Sequence, residues 1–256
     1  REALAAGTGV IDVAGGRGAL SFELLNVHGI ACTVVDPRTT LALGRLVAQW
    51  ERGAYHAQKG EMVEASATSA ALPMHWPCYW RDALWRPLLG SETPFAPDAE
   101  ALEAVATALS CRPPPSERVL GDEENDGSDA SEDEDADAPR GRLAILPTAD
   151  EACAQLRDCS LIVGMHPDAA TEAIVDFALA AGKPFAVIPC CVFAAAFPKR
   201  RDTAGRPVNT HAEFCAYLQA KDVDRIRVMS LPFEGRNTVV YSVGVGEAAD
   251  ECVPCS

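Results

Sequence analysis

The chain alternates short runs of apolar residues with longer segments in which apolar positions recur at helical spacing. The short runs are rich in Val, Ile and Leu and end at Gly, Pro or Asp, which is typical of buried strands. Strands are predicted in a run ending at Asp12 and at Cys32–Asp36, Leu143–Leu146, Ser160–Met165, Phe185–Ile188, Arg225–Leu231 and Thr238–Val243. Helices are predicted at 19–27, 39–50, 98–109, 149–157, 169–181 and 210–220.

The order of these elements predicts the fold class. The first five strands alternate with helices, as in the βα units that build a parallel sheet. The last two strands are joined by a loop too short for a parallel crossover, so they must run antiparallel to each other. We therefore expect an α/β protein with a seven-stranded doubly wound sheet, mostly parallel, that finishes in a C-terminal antiparallel hairpin.

Two stretches interrupt this regular order. Residues 52–118 are predicted to be a helical insertion, whose tryptophans at positions 76, 80 and 85 either line a substrate pocket or pack in the core. Residues 119–140 are acidic and contain Ser and Gly, so we expect a disordered loop, with an interaction segment as the alternative. With 256 residues the chain can bury one large core, and we expect a single domain over residues 1–256.

The net charge of −15 is concentrated in one place. Ten acidic residues and no basic residue lie between positions 121 and 138, so the rest of the chain is only mildly acidic. This balance provides no overall electrostatic attraction for a nucleic-acid backbone, although a local basic patch would not change the total much.

Cysteine use and hydropathy bear on the cellular compartment. The ten cysteines follow no regular spacing, and no secretory signal or membrane span is visible. We therefore expect reduced thiols in an intracellular protein, cytoplasmic or nuclear, that does not enter a membrane. Cys252 and Cys255 form a C-x-x-C pair that is either half of a metal site or part of a solvated tail. We favour the tail because no second pair has suitable spacing.

A glycine-rich turn after the first strand is the strongest functional signal. Asp12, Ala14, Gly15, Gly16 and Gly18 form the pattern acid-x-small-x-Gly-x-Gly at the start of an amphipathic helix. Such a turn lets a ligand approach the backbone, and the helix N-terminus attracts anionic groups.

A second acid, Asp36, ends the next predicted strand, where it could bind ribose hydroxyls. A dinucleotide site would require glycine at the position of Ser21, which disfavours an NAD-dependent oxidoreductase. A plain β-turn-α connection without a ligand is the structural alternative.

The turn and the second acid resemble motif I and the ribose-binding acid of class I S-adenosyl-L-methionine (SAM)-dependent methyltransferases, with Ala14 in place of the usual first glycine. The predicted sheet also resembles the Rossmann-like sheet of that family, because it is mostly parallel and finishes in an antiparallel hairpin. The resemblance implies SAM as the cofactor, with Asp12 near its methionine end, the turn from Ala14 to Gly18 beside its methionine and ribose, and Asp36 on the ribose.

The ends of the fourth and fifth predicted strands resemble an RNA-modifying subgroup of that family, which includes acceptor-stem tRNA 2′-O-methyltransferases. The chain has His166 and Ala170-Thr171 after the fourth strand, and Cys190-Cys191 after the fifth. It departs from the subgroup at Met165, where a lysine is usual, and in the absence of the histidines that follow the cysteine pair.

Candidate catalytic residues lie at the same strand ends. His166 and Asp168 could act as a general base toward a hydroxyl or protonated nitrogen acceptor, because each is predicted beside the position of the methyl group. The alternatives are that His166 stabilises its turn and that Asp168 caps the following helix. Cys190 and Cys191 either shape the pocket or attack as thiolates, and packing is the more common role of such cysteines.

These observations predict a SAM-dependent methyltransferase with an unidentified acceptor, for which the family resemblance implies RNA as the first candidate. The main alternative is a protein on the same fold that binds SAM without catalysis or serves as an interaction module. The sequence leaves the acceptor and the oligomeric state open.

Overall fold

The computed structural model describes residues 1–57, 69–90, 93–111 and 146–242. In these ranges the strands are β1 (Val10–Val13), β2 (Cys32–Val35), β3 (Met74–Trp76), β4 (Leu161–Met165), β5 (Phe185–Ile188), β6 (Ile226–Ser230) and β7 (Thr238–Ser242). The helices are α1 (Ala19–Asn26), α2 (Gly44–Glu51), α3 (Ala54–Ala57), α4 (Asp82–Leu89), α5 (Ala99–Ser110), α6 (Ala149–Asp158), α7 (Thr171–Ala181) and α8 (His211–Gln219).

The strands form one seven-stranded sheet in the order β3-β2-β1-β4-β5-β7-β6. The pairs β1–β2, β1–β4, β2–β3 and β4–β5 are parallel, whereas β7 runs antiparallel to both β5 and β6. This arrangement confirms the predicted fold class, a Rossmann-like α/β sheet with an antiparallel C-terminal hairpin. The strand order and the antiparallel β7 are consistent with a class I methyltransferase-like fold.

Burial on both faces explains the continuous apolar runs of the central strands. Every residue of β1 and β2 is buried, and successive side chains point to opposite faces. Ile11 and Val13 belong to the main core together with α4 to α8, whereas Val34 packs on the other face with Phe22 of α1. The site residues therefore project from a sheet that is covered on both sides.

Strand β3 was not predicted from the sequence. It pairs with β2 at one edge of the sheet, within the stretch 52–118 that was predicted to be helical. Trp76, Trp80 and Trp85 all lie in the main core, as the packing alternative requires.

Part of the remaining sequence predictions falls outside the described residues. This applies to the strand predicted at Leu143–Leu146, of which the structure describes only Leu146, outside any strand. It also applies to the acidic loop at 119–140 and to Cys252 and Cys255.

Local capping signals fix several helix starts. The side chains of Thr148 and Thr210 accept hydrogen bonds from the backbone N–H groups of Glu151 and Glu213, which complete capping boxes at α6 and α8. Helix α2 begins at Gly44, later than the threonine cap predicted at 39–40. Among the described residues, no helix combines the length and the apolar character needed to cross a lipid bilayer.

Candidate cofactor and active site at the carboxyl edge of the sheet

The candidate residues gather at one edge of the sheet because β1, β2, β4 and β5 run parallel and end there. The glycine turn follows β1 and Asp36 follows β2. His166 and Asp168 follow β4, which lies directly beside β1, and the cysteine pair follows β5. Neighbouring strands are about 4.8 Å apart, so one small ligand is long enough to contact side chains at the ends of several of these strands.

The turn itself is built on left-handed backbone positions. Ala14, Gly16 and Gly18 have φ angles of 54°, 58° and 83°, and Gly18 directly precedes α1. A hydrogen bond of 2.9 Å from the N–H of Gly18 to the carbonyl of Gly15 closes the turn. Glycine takes this conformation without cost, whereas Ala14 is held there against a penalty of about 1 kcal/mol or more.

Asp12 is completely buried beneath this turn. Its Oδ2 accepts a 2.8 Å hydrogen bond from the hydroxyl of Ser21, while its Oδ1 has no partner among the described residues. Burial, partly offset by the Ser21 hydrogen bond, raises the pKa of Asp12 to about 6. The ionised form therefore lacks the compensation that a buried carboxylate normally receives.

Gly15 lies directly against this carboxylate. A Cβ at position 15 would lie 2.6 Å from Oδ2 and 2.8 Å from Cγ of Asp12. Any larger residue at position 15 would force the Asp12 carboxylate to shift, because Cβ atoms essentially never approach another heavy atom this closely. The glycine at position 16 differs, since within the described part of the chain a Cβ there would meet only the side chain of Arg38, at 3.2 Å.

Asp36 connects the turn to the end of β2. Its Oδ2 accepts a hydrogen bond of 2.9 Å from the N–H of Gly16, and its Oδ1 accepts one of 3.0 Å from the N–H of Arg38. The guanidinium of Arg38 approaches the same carboxylate at 3.3 Å, although its side chain is 57% exposed. The two backbone hydrogen bonds are shorter than the guanidinium contacts, so the guanidinium is the more loosely held partner of Asp36.

His75 of β3 is a neighbour that the sequence reading did not identify. Its Nε2 lies 3.1 Å from the carbonyl oxygen of Asp36, and its side chain is buried. Burial lowers the pKa of His75, so the ring is neutral and donates to the carbonyl at neutral pH. A single histidine in a three-residue strand gave no recognisable signal.

His166 and Asp168 are exposed at the end of β4. The backbone N–H of His166 donates to the carbonyl of Ile188 at 3.1 Å, which extends the pairing of β4 with β5. Both residues have positive φ angles, 55° and 49°. The prediction that Asp168 caps the following helix is wrong, because Ala170 occupies the N-cap of α7 and no side chain caps it.

Instead, Asp168 contacts the first residue of the cysteine pair. Sγ of Cys190 donates to Oδ1 of Asp168 at 3.0 Å. Burial and then the Asp168 carboxylate raise the pKa of Cys190 to about 12, so this thiol is protonated at neutral pH and is a poor nucleophile in this arrangement. Cys191 is exposed beside it.

Arg200 holds the loop after β5 against α7, and the sequence reading missed it. Its guanidinium is buried and contacts Oε2 of Glu172 at 2.6 Å and the carbonyl of Val192 at 2.5 Å. Tyr217 and Lys221 donate to the other oxygen of Glu172 at 2.5 and 2.9 Å. Since Val192 follows Cys191 and Glu172 lies in the first turn of α7, this network fixes the cysteine pair relative to Asp168.

Comparisons with protein-family models, with curated proteins and with solved structures found no match to this chain.

Proposed function

We propose that this chain is a SAM-dependent methyltransferase whose acceptor is unidentified, with RNA as the first class to test. The observation that supports this most strongly is the pair of buried acids, Asp12 and Asp36, on either side of a glycine turn at the carboxyl edge of a sheet with this strand order. Each feature alone occurs in proteins without a ligand. Together they provide carboxylates that can bind a nucleoside whose substituents include a positively charged group.

The residues around the turn fit such a cofactor. Among the described residues, only the exposed side chain of Arg38 lies over Gly16, and this side chain can move aside. Ribose hydroxyls would then replace the loosely held guanidinium on Asp36, while the backbone hydrogen bonds from Gly16 and Arg38 keep the carboxylate in place. Leu41 and Leu43, which a Cβ at Gly18 would contact, are buried in the core with Phe22 and support the turn from below.

Asp12 would respond to the charge of the cofactor rather than to its hydroxyls. A nearby ammonium group favours the ionised carboxylate and would bring its pKa down from about 6. Because Gly15 covers Asp12, we infer that the carboxylate acts through the turn or through water and not by direct contact.

SAM, when bound, supplies an electrophilic methyl group for in-line displacement, and the chain must then position an acceptor and take up its proton. His166 is the better candidate for the base, since its side chain is exposed and has no hydrogen-bond partner among the described residues. Asp168 stays a candidate too, although one of its oxygens already accepts from Cys190. In either case the proton is held at the end of β4, beside the turn.

A non-catalytic role is the second candidate, and one observation favours it. Ser21 bonds to Asp12, and the backbone N–H groups of Gly16 and Arg38 bond to Asp36. The two acids therefore already stabilise the turn, as they would in a protein that keeps this fold for interaction alone.

Calorimetric titration with SAM, and with NAD⁺ in parallel, tests the cofactor. We expect SAM binding, no NAD⁺ binding, and a loss of at least tenfold in SAM affinity in Asp36→Asn, whereas Arg38→Ala should bind at least as well as the unchanged chain because it removes the competing guanidinium. Asp224→Asn, a change at an exposed acid, is the matched control. A chain that binds no SAM would overturn the proposal.

Transfer of a labelled methyl group from SAM to total RNA, to protein or to small molecules tests catalysis. His166→Ala should keep SAM affinity and lose most of the transfer rate, by the 10²–10⁴-fold typical of a general base. SAM binding without transfer to any acceptor class would favour the non-catalytic candidate.

A further inference from the structure

Three metal-binding side chains meet at the ends of β4 and β5. The ligand atoms of Asp168, Cys190 and Cys191 all lie within 4.8 Å of one another, and Cys190 Sγ is 3.0 Å from Asp168 Oδ1. We call these three residues the cysteine–carboxylate cluster. Cys190 is half-buried, whereas Asp168 and Cys191 are exposed, so an ion can enter from solvent.

The chemistry of the cluster selects a particular class of ion. Two sulfur donors disfavour Mg²⁺ and Ca²⁺, which prefer oxygen ligands, and favour Zn²⁺ or a similar soft divalent cation. In a tetrahedral zinc site, bond lengths of about 2.0 to 2.3 Å place the ligand atoms about 3.3 to 3.8 Å apart. The Cys190–Asp168 distance of 3.0 Å is slightly shorter than this range, and the 4.8 Å limit on the other distances is about 1 Å longer, so adjustments of about 1 Å at most would complete the geometry.

The surrounding contacts hold the cluster in shape. Arg200 bridges the carbonyl of Val192, the residue after Cys191, and the carboxylate of Glu172, one turn after Asp168. The hydroxyl of Thr171 donates to the backbone carbonyl of Asp168 at 2.8 Å. These bonds fix both halves of the cluster from behind, as the outer contacts of metal sites do.

We propose that Asp168, Cys190 and Cys191 bind one Zn²⁺ ion, with the fourth coordination position open to water or to a thiol or hydroxyl group of a ligand. Three protein ligands and one exchangeable position are the arrangement of reactive rather than purely structural zinc sites. The inference does not depend on SAM binding. With the metal bound, Asp168 is a ligand and His166 alone stays available as a base.

The test is metal binding to the reduced chain under anaerobic conditions, in a Cys252→Ser/Cys255→Ser background that removes the other cysteine pair. We expect one equivalent of Zn²⁺ to bind by calorimetry. Co²⁺ in its place should give a sulfur-to-metal charge-transfer band and the intense visible absorption of a tetrahedral site.

Cys190→Ser, Cys191→Ser and Asp168→Asn should each weaken Zn²⁺ binding by about 100-fold or more, since even outer-shell changes cost 10–100-fold. Cys111→Ser, which changes an exposed thiol at the end of α5, is the matched control and should leave affinity unchanged. Far-ultraviolet circular dichroism checks that each variant is folded.

Absence of binding, a cobalt spectrum without the sulfur band, or an affinity that the three cluster variants leave unchanged would overturn the proposal. SAM titration of the same samples separates it from the proposed function, because the metal site should persist in Asp36→Asn even where SAM binding is lost.

Discussion

The buried carboxyl of Asp12 should make the stability of this protein fall as the pH rises. Its pKa is about 6 in the folded chain, against an ordinary value of 3.8. The folded state therefore holds this proton more tightly than the unfolded state does. Stability from Asp12 is greatest below pH 3.8, declines between pH 4 and 6, and is constant above that range.

The size of the effect follows from the two pKa values. At about 1.4 kcal/mol for each pH unit between them, the whole decline amounts to about 3 kcal/mol. About half of the decline has occurred by pH 5, which leaves about 1–2 kcal/mol between pH 5 and pH 8. This is a sizeable part of the stability of an ordinary domain.

Asp12→Asn isolates this contribution because the amide does not ionise and keeps an oxygen for the Ser21 hydroxyl. Urea denaturation of both proteins at pH 5 and pH 8 should show the unchanged chain losing about 1–2 kcal/mol relative to the variant. Any constant cost of the amide cancels in this difference, as do the titrations of other groups. Asp224→Asn, at an exposed acid, should give no such difference.

Equal stability differences between Asp12→Asn and the unchanged chain at pH 5 and pH 8 would refute the reasoning. That result would mean that the carboxylate is compensated in its buried position, by water or by a rearranged turn.

Two further predictions concern packing around the site. Gly15→Ala should lower the free energy of unfolding, measured by urea denaturation, by about 1–3 kcal/mol because its Cβ collides with Asp12. Gly44→Ala is the control: it lies at the start of α2 with open space around it, so it should be neutral or stabilising. Equal effects of the two substitutions would contradict the geometry. Arg200→Met should lower the free energy of unfolding by about 3 kcal/mol because it breaks a buried ion pair with Glu172. Arg200→Lys should recover only part of this loss, since an ammonium cannot reproduce the two contacts of the guanidinium. Full recovery in the lysine variant would count against the bridging role.

The sheet could be predicted because its central strands have a recognisable sequence pattern. Strands buried on both faces must be apolar throughout, and helices that cover them must repeat apolar residues at helical spacing. Strand β3 escaped because it has three residues, among them the exposed Met74 and the polar His75. So short an edge strand carries no periodicity, and it is identified only by its pairing with β2.

The glycine turn and its two acids could be located from sequence because the residues of a turn are neighbours along the chain. Their energetics could not. Whether Asp12 is exposed or buried depends on Gly15 folding over it, and whether Asp36 is free depends on the position of Arg38. Those contacts are set by how the turn closes, so the unusual pKa of Asp12 appears only in three dimensions.

Patterns along the chain were enough to predict the α/β class, the antiparallel end of the sheet, the capped starts of α6 and α8, and a glycine turn between two acids. All of these follow from residue patterns that can be recognised along the chain, or from periodic burial. The three-dimensional packing was needed to show which strand lies beside β2, that Cys190 donates to Asp168, and that Arg200 joins the two loops around them. These partners lie 22 residues or more apart, and a contact at that separation is specified by the packing of the whole sheet and its helices, to which no local pattern refers.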